Sequence, residues 1–486
     1  MAQAPTKADL LDNVIGGQRV AAETDEALEV LDPATGETLA RVPLSGLGDV
    51  DHAARAAHEA WPEWADTPVP ERARLMFRLQ ALCEEHFEEL AEVCTLENGK
   101  AIDESRGEVR RGLEVIEFAA GMPTLMSGQT LEQVSRGIDT ELFRTPLGAV
   151  AAITPFNFPV MVPLWTIPIA IAAGNTFIHK PSQRTPLSAL KLAELLEQAG
   201  CPPGVFNVVH GAADAVNAIC DHPLIRAVSF VGSAPVAKHV YARCAGAGKR
   251  VQALAGAKNH IVVMPDADLD LAVPGLFSSA FANAGQRCLA ASVGLPVGDV
   301  ADELAERLAD MAREAKVGPG LDPESSITPV TTPEARDRIA DYIGLGLEEG
   351  ARLLVDGRME SGNGFFLGPT ILDGVRPEMR VAQEEIFGPV LSLERVSSLH
   401  EALETIAHNE FGNATAIFTR DGGAAREFRR RVTAGMVGIN IPVPAPMAFL
   451  PFAGWKGSFF GDLHATGMDG VRFFTETKVV TTRWPA

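Results

Sequence analysis

The sequence predicts an α/β protein of more than one domain, and three observations carry that prediction. The chain has 486 residues, too many for one ordinary core. Between residues 146 and 256, short apolar stretches at 149–154, 176–180, 205–210, 227–230 and 250–254 alternate with helical patterns. Such alternation implies a parallel sheet covered on both faces, the Rossmann-like dinucleotide-binding architecture. A second alternation runs from 260 to 440, so a second α/β unit is expected, with a ligand cleft where the two units meet.

The elements follow in chain order. The first 50 residues read as short strands joined by turns at Asn13-Val14-Ile15-Gly16-Gly17 and Asp32-Pro33-Ala34-Thr35-Gly36. Apolar residues then recur every three or four positions over 49–60, 70–98 and 104–119, the pattern of amphipathic helices. Arg106, Arg110 and Arg111 share one of these helices and read as a solvated face. The stretch 158–174 is apolar and near the shortest membrane span of about 17 residues. Pro159, Pro163 and Pro168 interrupt it, which favours a buried helix under a domain core.

No G-x-G-x-x-G is present. Phe230-Val231-Gly232-Ser233 instead ends a strand and opens a helix over 236–243, whose N-terminus could receive a pyrophosphate. The second unit comprises a strand at 261–264, a helix at 269–282, a turn holding Cys288, and strands near 414–419 and 435–440. The Thr- and Val-rich run 473–484 suggests a strand that leaves the core and joins another subunit's sheet.

Composition excludes several functions. The chain is 46% hydrophobic and 22% charged, as a folded protein requires. A formal charge of −21 argues against sequence-independent binding to nucleic acid or to an anionic membrane. The cysteines Cys83, Cys94, Cys201, Cys220, Cys244 and Cys288 form no C-x-x-C pair, so neither a zinc ribbon nor a disulfide framework is indicated and a reduced, cytoplasmic setting fits. Residues 1–12 lack the apolar run of a secretory signal. His210, His222 and His260 lack ligand spacing, so no metal is expected.

Gly285-Gln286-Arg287-Cys288 presents a thiol after a flexible turn, beside a permanent cation that favours the thiolate. Taken alone, an internal cysteine such as Cys288 is more often a small buried apolar residue. Its company decides. Pro155-Phe156-Asn157-Phe158-Pro159, His179-Lys180-Pro181-Ser182, Phe230-Val231-Gly232-Ser233, Gly285-Gln286-Arg287-Cys288 and Glu384-Glu385-Ile386-Phe387-Gly388-Pro389 occur in the order and spacing of the aldehyde dehydrogenase superfamily, which the sequence resembles over almost its whole length. Gly256-Ala257-Lys258-Asn259-His260, Val443-Pro444-Ala445-Pro446-Met447-Ala448-Phe449 and Gly454-Trp455-Lys456-Gly457-Ser458-Phe459-Phe460-Gly461 look most like its coenzyme A-acylating branch, the methylmalonate- and malonate-semialdehyde dehydrogenases.

The resemblance implies the aldehyde dehydrogenase fold: an NAD-binding domain from 1–123 and 145–254, a catalytic domain from 255–466, and a small β oligomerisation element from 124–144 and 467–486. A homodimer or a dimer of dimers would follow. Cys288 would be the nucleophile, and the Asn157 amide with the Cys288 backbone N–H would stabilise the oxyanion. Lys180 and Glu385 would hold the nicotinamide-side and adenosine-side riboses, and Phe387 would pack near the nicotinamide. Phe156, Ser182, Gln183, Gly232 and Ser233 complete the expected cofactor set. Gln183, with Arg184 beside it, stands where NAD-preferring relatives often carry a glutamate, so NAD with some tolerance of NADP is expected. Leu254 replaces the glutamate that activates water in hydrolytic relatives, and leucine can abstract no proton. A thioester would then persist until coenzyme A arrives as acyl acceptor. Asp462 lies near where some hydrolytic members carry a second glutamate, which keeps a hydrolytic route open. Arg111 and Arg287 would bind a substrate carboxylate, the substrate being malonate or methylmalonate semialdehyde and the product acetyl- or propionyl-coenzyme A after loss of CO₂. A catalytically silent protein retaining the fold is the remaining alternative.

Overall fold

In a computed structural model, residues 9–359 and 362–484 are described. Residues 1–8 of the N-terminal stretch and the last two of the C-terminal one lie outside the described residues. Among the described residues, two large sheets of eight and seven strands are accompanied by a three-stranded antiparallel sheet and two two-stranded ones.

The first sheet has eight strands, ordered Gln18–Val20, Asn13–Ile15, Phe206–Val208, Thr176–Lys180, Ala149–Ile153, Ile225–Val231, Arg250–Leu254 and Phe459–Phe460. Its centre is parallel, with Ile153 opposite Lys180 and Phe230. Burial of both faces explains why those strands read as continuous apolar runs; every residue of Ala149–Ile153 and Thr176–Lys180 is buried. From Ala149–Ile153 the chain moves outward to one side, then returns to lay Ile225–Val231 on the other. The crevice outside the carboxyl ends of those two strands is a topological switch point, where ligands bind in open α/β sheets. Asn157 and Gly232 follow directly from them.

The second sheet runs Arg352–Val355, Thr370–Asp373, Val390–Leu393, Ala291–Pro296, Asn259–Val263, Ala414–Phe418 and Met436–Ile439, parallel except for the first strand. Cys288 precedes Ala291–Pro296, so the amino edge of this sheet faces the carboxyl edge of the first. The third sheet pairs Ile138–Pro146 with Thr475–Arg483 on one side and Gln129–Ser135 on the other. The strand Gln129–Ser135 is exposed throughout.

Four details differ from the sequence reading. The pattern over 70–98 resolves into two helices, Val69–Glu85 and Phe87–Asn98, separated at His86. The apolar stretch after Asn157 is buried as expected, but as two short helices, Met161–Leu164 and Ile167–Ala172, because Pro163 and Pro168 lack the N–H a longer helix needs. Within the C-terminal piece assigned to oligomerisation, Gly467–Phe473 is a helix and only Thr475–Arg483 joins the small sheet. Finally, Phe459–Phe460 pairs antiparallel with Ala253 and Leu254, so the segment 255–466 gives a strand back to the first sheet. That return clamps the two units around Leu254.

Candidate active site

Cys288 sits after a backbone kink that its sequence explains only in part. Asn283, Ala284 and Gly285 all adopt left-handed φ values of 50, 49 and 69°. For Asn283 and Ala284 this strain costs of order 1–2 kcal/mol per residue. Glycine is required at 285, since a Cβ there would lie 2.1 Å from the Gly388 carbonyl oxygen. The thiol turn and the Glu384–Pro389 loop are therefore packed backbone to backbone. The Cys288 carbonyl accepts hydrogen bonds from the Asn259 and Asn413 amides, both at 2.8 Å.

Two cavities meet at this residue. One, of about 860 Å³, is lined by Phe156, Asn157, Lys180, Ser182, Gln183, Gly232, Ser233, Leu254, Glu385 and Phe387. The other, of about 320 Å³, is lined by Arg111 and Arg287 among others. Cys288 borders both. The sequence-predicted cofactor residues thus converge on one side of the thiol and the predicted arginines on the other.

Asn157 is buried, and its Nδ2 donates to the Gln286 carbonyl at 2.9 Å, which places the amide within two residues of Cys288. A network that the sequence reading did not anticipate holds it there. Lys100 and Glu108 form an ion pair at 2.5 Å with side chains 1% and 0% exposed. Lys100 Nζ also donates to the Asn157 carbonyl at 2.6 Å, and the second Glu108 oxygen accepts from the Val160 and Met161 N–H groups. Asn98 donates to the Phe156 carbonyl at 3.0 Å. The whole Pro155–Met161 backbone is therefore gripped by side chains of the helices Phe87–Asn98 and Ile102–Ala120 and the turn between them. Nothing in an amphipathic pattern separates Glu108 from the solvated glutamates around it; the only signal is the compact Glu97-Asn98-Gly99-Lys100, which reads as an ordinary helix end.

The arginines depart from the expected roles in one respect. Arg287 was expected to favour the Cys288 thiolate. Its Nη2 instead donates to the Ser278 and Ser279 carbonyls at 2.6 and 3.0 Å. Burial, reinforced by the charge of Glu385, pushes the Cys288 thiol up to about 12, and the opposing pull of Arg287 is too weak to prevent it. Burial thus favours the thiol form of Cys288 over the thiolate. Arg111 is half-buried, paired through Nη1 with Glu114 at 2.8 Å, and its Nη2 contacts the Pro446 carbonyl.

On the cofactor side, burial lowers Lys180 to about 7, and its Nζ donates to the Pro181 and Gly211 carbonyls. Lys180 lies three strands away from Leu254 in the sheet order, roughly 14 Å at about 4.8 Å per strand. Glu385 accepts from the Ala257 N–H at 2.9 Å and acts electrostatically on Cys288. Glu385 therefore stands at the thiol end of the cleft and Lys180 at the far end, the opposite of the order expected for this pair. Phe387, itself left-handed at φ 53°, meets Phe156 edge to face at 5.9 Å between ring centres.

The residues present fit a dinucleotide. The helix Ala234–Gly246 begins at Ser233 without a side-chain cap, leaving its first N–H groups to an anion. Gly232 and Gly256 keep the surface close: a Cβ at Gly232 would lie 2.5 Å from the Phe230 ring, and one at Gly256 2.8 Å from Glu385 Oε2. Leu254 is buried at the end of its strand and borders the cleft. Asp462 is exposed and borders neither cavity, so it is not placed to activate water at the thioester. The three histidines are dispersed. Burial holds His210 and His260 near 3, and His222 pairs with Asp51 at 3.0 Å. No helix among the described residues is long and apolar enough to cross a membrane.

Comparison with known proteins agrees with this geometry. The profile of the aldehyde dehydrogenase family matches residues 20–480. The chain is similar to malonate-semialdehyde dehydrogenase 1 of Geobacillus kaustophilus, at 56% identity over 98% of both chains, and to malonate-semialdehyde dehydrogenase 1 of Geobacillus thermodenitrificans, at 54% over 99% of this chain and 100% of the relative. Among solved structures it is similar to methylmalonate-semialdehyde dehydrogenase from Oceanimonas doudoroffii, with a TM-score of 0.97, 47% identity, and 98% and 99% of the two chains covered. It is equally similar, at TM-score 0.97 and 45% identity over 99% of both chains, to a Sinorhizobium meliloti 1021 structure complexed with NAD, whose assignment as a methylmalonate-semialdehyde dehydrogenase is provisional. With the five motifs gathered around one thiol between two α/β sheets, and a profile match over nearly the whole length, the chain belongs to the aldehyde dehydrogenase family.

Proposed function

We propose that this chain oxidises malonate semialdehyde or methylmalonate semialdehyde to acetyl- or propionyl-coenzyme A, with NAD reduced and CO₂ released. The observation that carries this reading is that Cys288 borders a dinucleotide-sized cleft on one side and an arginine-bearing cavity on the other. The names of the similar proteins support the same substrates.

In this reading Cys288 Sγ bonds to the aldehyde carbon, and the Asn157 amide and the Cys288 N–H stabilise the oxyanion that forms. NAD, when bound, supplies the hydride acceptor; Phe156, Lys180, Ser182, Gln183, Gly232, Ser233, Glu385 and Phe387 hold it. Arg111 and Arg287 orient the substrate carboxylate. The acyl group remains on sulfur because Leu254 activates no water, and the coenzyme A thiol then takes it. The balance is OHC–CHR–COO⁻ + CoA-SH + NAD⁺ giving R–CH₂–CO–S-CoA + CO₂ + NADH, with R hydrogen or methyl.

The cytoplasmic setting remains part of the proposal and is supported by six free cysteines. So does a homodimer or a dimer of dimers, supported by the exposed apolar side chains Leu131, Phe143 and Val479 of the small sheet. Gln183 and Arg184, both bordering the cleft, support some tolerance of NADP.

The test is NADH formation with each semialdehyde, with and without coenzyme A, with the product identified. The reading expects acyl-coenzyme A and thiol-dependent turnover. Free acid formed at full rate without coenzyme A would replace it with hydrolysis, and no NADH with any aldehyde would indicate a silent protein.

A further inference from the structure

The cavity on the arginine side of Cys288 is electrically balanced. Lys100, Arg111 and Arg287 line it with three cations, and Glu104, Glu108 and Glu114 with three carboxylates. An anion entering such a site finds no net attraction unless one internal carboxylate gives way.

The three carboxylates are not equally free to do so. Glu108 is fully buried and held by Lys100 and by two backbone N–H groups. Glu104 accepts the N–H of Asn283 at 3.0 Å, at the start of the kink that presents the thiol. Glu114 differs. Its side chain is 24% exposed, and among the described residues its hydrogen bonds go to Arg111 alone, at 2.8 and 3.2 Å from one nitrogen. The other terminal nitrogen of Arg111 reaches the Ala445 and Pro446 carbonyls of the loop that closes the cavity. A planar guanidinium suits two oxygens of one carboxylate, and both terminal nitrogens of Arg111 are already engaged, Nη1 by Glu114 and Nη2 by the loop carbonyls.

We propose that Glu114 is an internal stand-in for the substrate carboxylate: a positioning residue that holds Arg111 against the Ala445-Pro446 loop and is displaced when a 3-oxo acid takes Arg111. The proposal rests on the reading that Arg111 binds the substrate carboxylate. The exchange leaves the number of ion pairs unchanged, so an acid substrate gains only the difference between its own fit and that of Glu114. A neutral aldehyde cannot compete for Arg111 and leaves the pair in place. An unpaired guanidinium in a half-buried site is unfavourable, which is the reason to keep it paired between turnovers.

The experiment compares the parent, Glu114→Gln and Arg111→Gln. The readouts are KM and kcat for malonate semialdehyde, KM for propanal, and the inhibition constant of malonate as an unreactive anion. For Glu114→Gln the expected result is a KM for the semialdehyde and an inhibition constant for malonate lowered roughly three- to fivefold, the upper scale of a partly exposed ion pair, with kcat and the propanal KM within twofold. Structural damage would not tighten binding selectively for anions. Unchanged or raised values in Glu114→Gln, alongside an Arg111→Gln variant that weakens both by tenfold or more, overturn the stand-in alone. If Arg111→Gln leaves both constants unchanged, the carboxylate reading fails and the stand-in fails with it.

Discussion

The two cavities that share Cys288 are built on opposite plans. The larger is assembled from strand ends of the first sheet and the Glu385–Phe387 turn of the second unit, and the electrostatic problem there is burial: Lys180 and Glu385 are both pushed to about 7. The smaller is assembled from the helix Ile102–Ala120, the thiol turn and the loop around Ala445-Pro446, and four of its charges are matched in two ion pairs, Lys100 with Glu108 and Arg111 with Glu114. The contrast shows how one thiol serves two ligands. The larger cavity is set by shape, fixed by glycines and strand order; the smaller is set by its charged partners.

The largest expected effect breaks both sides at once. Cys288→Ala should reduce turnover by at least about 10⁴ while leaving dinucleotide binding intact, measured by NADH formation and by quenching of intrinsic fluorescence on titration with NAD. Asn157→Ala removes one oxyanion donor and should lower kcat by about 10²–10³ with KM little changed. A smaller loss would mean that the Cys288 N–H acts alone.

The pH profile sharpens the distinction between a resting thiol and a resting thiolate. Burial raises the Cys288 thiol to about 12, so the thiolate fraction in the free protein rises with pH throughout the range below that value. Alkylation by iodoacetamide should therefore accelerate about tenfold per pH unit from 7 to 9, with a plateau near neutrality counting against it. Lys100→Met tests the grip on Asn157 from the aldehyde side. Leaving Glu108 buried without its partner should lower stability by about 3–5 kcal/mol, seen as a reduced unfolding midpoint, and should lower kcat more than it raises KM. Gln183→Glu tests the shape-dependent side: the ratio of kcat/KM for NAD over NADP should increase by about tenfold if that position faces the 2′-hydroxyl, as one added carboxylate beside a phosphate repels it.

The legibility of the two sides differs for physical reasons. Strand ends followed by Pro155-Phe156-Asn157 and by Gly232-Ser233 announce the dinucleotide cleft because close backbone approach restricts which residues fit. Lys100, Glu108 and Glu114 announce nothing. They are acidic and basic residues on amphipathic helices, where most such residues face solvent, and only the packing of the helix Ile102–Ala120 against Met161–Leu164 buries Glu108. A separate contact misled the reading of Arg287. Sequence adjacency suggested a cation beside the thiol, whereas the Ser278 and Ser279 carbonyls draw the guanidinium away. The order of Lys180 and Glu385 along the cleft likewise could not be read from their motifs, since it depends on which strand lies next to which.

The sequence by itself determined the α/β class and the sheet-building alternation, and it singled out Cys288, Asn157 and Leu254 as the residues that meet in the cleft. These are properties of residue type and local period, and they survive being written as a string. Tertiary structure alone decided that Phe459–Phe460 returns to the first sheet, that Lys100 and Glu108 grip the Asn157 backbone, that burial pushes the Cys288 thiol up, and that Arg111 pairs with Glu114. Each of those depends on burial and on partners distant in sequence, and a charge takes its meaning from what surrounds it.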